Sequence, residues 1–87
     1  MIEGGRFTPA SITVRAGDRV EWTNKDLFPH TVTATAKGRS QKPVFDSGPI
    51  APGASWALTA SDTTGAFDYV CIFHLGMKGT IKVTARP

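Results

Sequence analysis

The chain has 87 residues, with 10 Lys and Arg against 7 Asp and Glu, a formal charge of +3, 40% hydrophobic residues and 20% charged residues. That length holds one core, since chains split into several only well above about 200 residues, so residues 1–87 read as a single domain. The composition is that of a folded globule and not of a disordered tail, and the mild basicity falls well short of a charge-driven binder. No apolar run approaches the roughly 20 residues that span a bilayer, and Met1-Ile2-Glu3-Gly4-Gly5 lacks a basic segment followed by an apolar one, so no signal segment is read in the chain. Cys71 is the only cysteine, which excludes an intramolecular disulfide, and two histidines exclude multicopper oxidases and the larger zinc enzymes.

Period-two alternation recurs along the chain and no helical apolar spacing lasts beyond a turn, which predicts an all-β fold. Ile12 and Val14 alternate with Ser11, Thr13 and Arg15; Ala16-Gly17-Asp18 turns the chain; Val20 and Trp22 then alternate with Arg19, Glu21 and Thr23. This pattern predicts a hairpin. After the irregular stretch Asn24-Lys25-Asp26-Leu27-Phe28-Pro29, His30, Val32, Ala34 and Ala36 share the apolar face of a strand, with Thr31, Thr33 and Thr35 on the other.

The stretch Lys37-Gly38-Arg39-Ser40-Gln41-Lys42-Pro43 carries three positive charges and no large apolar side chain, so it is expected to be a solvated, mobile loop. Val44-Phe45 resumes structure, Trp56 and Leu58 mark a further strand, and Asp62-Thr63-Thr64-Gly65 reads as a turn. Phe67, Tyr69 and Cys71 fall on one face of a strand, Leu75 to Gly79 reads as a tight connection, and Ile81, Val83 and Ala85 form a closing strand. Short strands with frequent turn signals predict a two-sheet sandwich.

Apart from Met1, the chain owns four soft or borderline donors: His30, Cys71, His74 and Met77. Three of them lie within Cys71-Ile72-Phe73-His74-Leu75-Gly76-Met77, at a spacing that a straight strand would point to opposite faces, so the segment must combine a strand end with a curling loop. His30 has to come from elsewhere in the chain, because one short loop cannot surround an ion. A blue copper centre takes a thiolate and two imidazoles near a plane, with a weak axial thioether, and these four residues are that set. Singly, a buried Cys or Met is most often core and a lone His most often an ordinary side chain. Together the four exhaust the useful donors. A metal bound to them would tie together strands 41 residues apart, a staple for a small fold without a disulfide.

The frame from Phe7 to Asn24, the Pro29-His30-Thr31-Val32 segment, and Gly65-Ala66-Phe67-Asp68-Tyr69-Val70-Cys71 with His74, Met77 and Gly79 resemble the cupredoxins over nearly the whole chain. The Cys-x-x-His-x-x-Met loop is most similar to the amicyanin group. This resemblance implies a Greek-key β-sandwich of about eight strands in two sheets. It also implies one copper ion cycling between Cu(I) and Cu(II), with His30, Cys71 and His74 as equatorial ligands and Met77 as the axial one. It further implies that the Thr31 amide donates to the thiolate, that Asn24 ties the ligand loops together, and that the Tyr69 hydroxyl acts as a corner tie. Ile72 and Leu75 depart from the usual Thr and Pro of the family, and Met1-Ile2-Glu3 leaves little first strand.

The function implied is electron transfer and not catalysis, by a periplasmic or extracellular monomer that docks weakly with redox partners, the positive charge suiting acidic ones. Phe28, Pro29, Phe73 and Leu75 are the candidates for an apolar docking patch around His74. A copper carrier would use the same ligands but exchange the ion. A Cys-His hydrolase would need an orienting side chain, and none is evident in the sequence. Single-strand nucleic-acid binding through Trp22 and Trp56 is disfavoured because both fall on the apolar parity of their strands.

Overall fold

Apolar parity places Trp22 on the inner face of one strand and Tyr69 with Cys71 on the inner face of another, and these side chains meet in the middle of the molecule. The structure is a computed structural model that describes residues 1–38, 41–60 and 64–85, with the side chain of Leu75 outside that description. Residues 39 and 40 of the basic stretch and 62 and 63 of the expected turn lie outside the described residues.

Among the described residues there are eight strands: β1 (Ile2–Glu3), β2 (Arg6–Phe7), β3 (Ser11–Arg15), β4 (Arg19–Thr23), β5 (Thr33–Ala34), β6 (Ser55–Thr59), β7 (Gly65–Cys71) and β8 (His74–Thr84). One sheet has the order β3-β8-β7-β5, a second pairs β4 with β6, and β1-β2 is a small hairpin. Ile2 bridges Asn24 just beyond the end of β4, which attaches the hairpin beside the second sheet. The two sheets close on an aromatic centre, with Trp22 set edge-on to Tyr69 at 5.5 Å and tilted against Trp56 at 5.6 Å. Phe7 meets Tyr69 edge-on at 4.8 Å. Ile2, Trp22, Val32, Tyr69, Cys71 and Ile81 are all buried within this core. The all-β sandwich agrees with the expectation.

Several local expectations are corrected. β3 and β4 do not form a hairpin: β3 runs parallel to β8 and β4 runs antiparallel to β6, so the Ala16-Gly17-Asp18 turn carries the chain from one sheet to the other. Its amides are split accordingly, Ala16 donating to Thr84 in one sheet and Gly17, at φ 91°, donating to Ala60 beyond the other. Alternation makes both strands inward-facing on one side but is indifferent to which strand lies alongside.

His30 does not open a strand. It makes an isolated bridge with Ile50, β5 is confined to Thr33–Ala34, and Thr31 and Thr33 are buried as fully as Val32 and Ala34. Ala36 and Ala85 are exposed. The basic stretch is closed at its neck, where Lys37 bridges Pro43 and Val44 donates to Ala36.

The connection after Cys71 is shorter than expected. Ile72 and Phe73 are the turn, and β8 begins at His74. Val70 pairs with Lys78 while Cys71 pairs with His74, so β8 carries three extra residues, 75–77, opposite the step. This bulge, and not a separate loop, reconciles the spacing of the Cys71-to-Met77 segment with a common inward direction.

The Tyr69 hydroxyl is not a corner tie. It is buried and makes no hydrogen bond among the described residues, and burial pushes its pKa up. Its ring lies against Gly79, its partner across β7 and β8, so that a Cβ at that position would fall far inside van der Waals contact. Gly79→Ala is therefore expected to destabilise the fold by about 3 kcal/mol, at the upper end of overpacking costs. Gly76→Ala, where nothing lies within 4 Å, should cost under about 1 kcal/mol. Denaturant titration of the two variants checks the difference.

Candidate metal centre

Cys71 ends β7 with its sulfur fully buried, and three backbone amides and one imidazole converge on that atom. The Thr31 amide donates to Sγ at 3.4 Å, His30 Nδ1 lies 3.6 Å away, and the amides of Phe73 and His74 are the other contributors. Burial pushes the thiol up, but these hydrogen bonds outweigh it and bring its pKa from 9.0 down to about 7. A group so arranged is ready to be a thiolate, the form that binds metals.

Donor atoms of His30, Cys71 and His74 all lie within 4.8 Å of one another. Ligands bonded at about 2.0–2.3 Å around a shared ion sit roughly 3.7 Å apart at trigonal angles, so the 3.6 Å between His30 Nδ1 and the sulfur is the separation such a centre requires. The two imidazoles differ in setting. His30 is buried and His74 exposed, with their ring centroids 5.4 Å apart. Met77 occupies the bulge opposite Cys71, buried in the same apolar cluster.

The surrounding polar groups are organised around these donors. Asn24 is fully buried, its Nδ2 donating to the carbonyls of Phe28 at 2.8 Å and Ile50 at 2.9 Å and its Oδ1 accepting from the Asp26 amide at 2.9 Å. It thereby holds both flanks of His30. The Ile72 amide donates to Thr31 Oγ1 at 3.0 Å, which pins the β7–β8 turn by its backbone where the Ile72 side chain has no polar group. Thr31 Oγ1 is in turn 3.0 Å from Thr33 Oγ1, itself 2.9 Å from an Asp46 carboxylate oxygen. Parity had assigned these threonines to the outer face, and only the tertiary structure shows them enclosed.

Asp26 is the residue that sequence reasoning missed. Its Oδ2 lies 2.8 Å from His30 Nε2, so that with the proton on Nε2 the ring presents its Nδ1 lone pair toward the sulfur. Hydrogen bonds from the Gly5 and Gly4 amides, together with His30, hold the Asp26 carboxyl below its ordinary range. The signal available in the sequence was an acidic residue four positions before a candidate ligand, in an otherwise irregular stretch.

Outside the donors, Phe28, Pro29, Phe73 and His74 line one shallow, apolar hollow. Phe28 is 68% exposed and Phe73 48%. Leu27, at 87%, and Ile72, at 53%, are further exposed apolar side chains that the sequence reading did not include. Leu75, the fourth expected member of the patch, has a side chain outside the described residues.

A family model described as copper binding proteins, plastocyanin/azurin family, matches residues 3–84. The chain belongs to this family. Plastocyanin from Scenedesmus fuscus is 36% identical over 88 residues, covering 88% of this chain and 85% of that protein. Amicyanin from Paracoccus versutus is 30% identical over 82 residues, covering 94% of this chain, which spans 61% of that protein's length. Among solved structures, a reduced-state amicyanin variant superposes with a TM-score of 0.83 at 26% identity, over 95% of this chain and 77% of that one. The cupredoxin fold and a copper cofactor follow from these findings together with the clustered His-Cys-His donors.

The depressed thiol has a direct test. In the metal-free protein, thiolate absorbance should titrate with a midpoint near 7 in place of 9.0. Because the folded value lies below the unfolded one, the metal-free protein should gain stability as pH rises from about 7 to 9. A midpoint near 9 would mean that the amides around the sulfur do not act on it.

Proposed function

We propose that this chain is a small blue copper electron carrier whose metal ligands are His30, Cys71 and His74, with Met77 as the weak axial donor. The observation that carries the assignment is the approach of three donor atoms to within 4.8 Å around a buried sulfur with a depressed pKa. Copper, when bound there, supplies a one-electron couple between Cu(I) and Cu(II). The protein's own part is to hold donors still and keep water out. Cys71 is fixed by β7 and the Thr31 amide, His30 by Asp26 and the Ile50 bridge, and the turn that carries His74 by the Thr31 hydroxyl. Donors fixed by the packed sandwich change position little when charge changes.

His74 is the proposed path for the electron, since it is the exposed imidazole and sits in the apolar hollow with Phe28, Pro29 and Phe73. A small apolar face suits a weak, fast-dissociating encounter, and the net charge of +3 favours an acidic partner. This reading carries with it an exported, periplasmic or extracellular, setting. Asp26, His30 and Cys71 do follow one another as an acid, an imidazole and a sulfur, the connectivity of a nucleophilic triad. The sulfur has no exposed surface, however, so a substrate carbonyl has no approach to it, and this favours a carrier over a hydrolase.

Adding Cu(II) to the metal-free protein should produce intense visible absorption at one equivalent, and Cys71→Ser should abolish it. A band that survives the substitution, or no band in the unaltered protein, would sink the assignment. Phe28→Glu should leave the band in place while slowing electron exchange with a protein partner roughly tenfold or more, as followed by stopped-flow mixing. Unchanged exchange would remove the hollow from the docking surface.

A further inference from the structure

The β1–β2 hairpin turns through Gly4 and Gly5, both at positive φ, 63° and 68°, with nothing within 4 Å of where a side chain would begin. Two successive positive-φ positions give the tight turn whose twist matches a hairpin, which is why glycines stand there. The turn is also aimed. The Gly4 amide donates to Asp26 Oδ1 at 2.6 Å and the Gly5 amide to Asp26 Oδ2 at 3.0 Å, across more than 20 residues of chain. The same Oδ2 meets His30 Nε2 at 2.8 Å.

The hairpin is itself anchored to the core. Ile2 is fully buried, Phe7 packs edge-on to Tyr69 at 4.8 Å, and Lys25, next to Asp26, donates from its amide to the Ile2 carbonyl at 2.7 Å. A continuous line of contacts therefore runs from the buried N-terminal strand through two glycine amides and one carboxylate to a buried imidazole.

We propose that the Gly4-Gly5 turn is a positioning device for His30, acting through Asp26. A carboxylate held by one hydrogen bond can rotate, whereas one gripped at both oxygens by backbone amides cannot, and charge-assisted bonds of this kind are the stronger class. The fixed oxygen holds the proton on His30 Nε2 and directs the Nδ1 lone pair toward Cys71 before any metal arrives. This inference rests on the copper reading above and adds that an element remote in sequence sets the orientation and basicity of one ligand. Partners of ligating histidines raise ligand basicity, so loss of the grip weakens Cu(II) binding more than Cu(I) binding and moves the reduction potential upward.

The test uses Gly4→Pro, which removes one amide donor and, because proline cannot adopt a φ of 63°, also breaks the turn that presents the other, Asp26→Asn, and the double variant. Nitrogen NMR of the metal-free protein should show His30 as the Nε2–H tautomer in the unaltered chain and as a tautomer mixture in both single variants. Chelator competition should show Cu(II) affinity lowered about 10- to 100-fold by Asp26→Asn and lowered in the same direction by Gly4→Pro, with a raised potential in each. In the Asp26→Asn background, Gly4→Pro should change nothing further. Should Gly4→Pro fail to fold, Asp26→Glu, which keeps the charge but overreaches the turn, carries the same expectation for tautomer and affinity.

The proposal is overturned if Gly4→Pro lowers thermal stability yet leaves tautomer, affinity and potential alone, if its effect adds in full to that of Asp26→Asn, or if Asp26→Glu behaves as the unaltered protein. A missing Cu(II) band in the unaltered protein overturns the copper reading and the ligand role with it. A normal band with an unresponsive His30 overturns this inference alone.

Discussion

A sulfur with no exposure to water that must nevertheless carry negative charge is the constraint around which this molecule is arranged. Burial by itself raises a thiol's pKa, so the charge is tolerable only where hydrogen-bond donors replace the lost water. Those donors reach Cys71 from two directions: the Thr31 amide from the segment before β5, where the His30 ring also lies against the sulfur, and the Phe73 and His74 amides from the turn that follows β7. Each segment needs its own support. Asn24 holds one through the carbonyls of Phe28 and Ile50, and Thr31 Oγ1 holds the other through the Ile72 amide. Thr31 thus serves the sulfur with its amide and the turn with its hydroxyl.

The step in register between Val70 and Cys71 is the second element on which the centre depends. On one side of it, β7 and β8 run as an ordinary ladder, close enough for the Tyr69 ring to cover Gly79. On the other side β8 has three residues to spare, and Met77 is buried in the same apolar cluster as Cys71. The Tyr69 hydroxyl makes no hydrogen bond among the described residues, which marks this residue as packing material in place of a polar tie.

The asymmetry between the two imidazoles joins this architecture to electron transfer. His30 is enclosed and oriented by a carboxylate that is itself gripped by backbone amides, whereas His74 stands exposed at the start of β8 beside Phe28, Pro29 and Phe73. One imidazole belongs to the scaffold and the other to the surface. On the proposed reading, an electron would cross to a partner through His74 without any opening of the site.

Much of this was already present in the order of residues. The count of soft donors named His30, Cys71, His74 and Met77, and the family resemblance pointed to Thr31 and Asn24; the structure brings the first three donors together, with the Thr31 amide on the sulfur and Asn24 bonded to the carbonyls of Phe28 and Ile50. Inward parity likewise placed Trp22, Tyr69, Cys71, Ile81 and Val83 in the core. Parity failed where a segment is enclosed on both sides, as at Thr31 and Thr33, because alternation marks a face only when the other face meets water. It also could not choose the partners of β3 and β4, which lie in different sheets despite their short connection. Asp26 was hidden for a related reason: its role depends on two glycine amides more than 20 positions away. What a chain can donate is written in its side chains and their spacing, but which donors share a centre is decided by strand pairing, whose order no local pattern encodes.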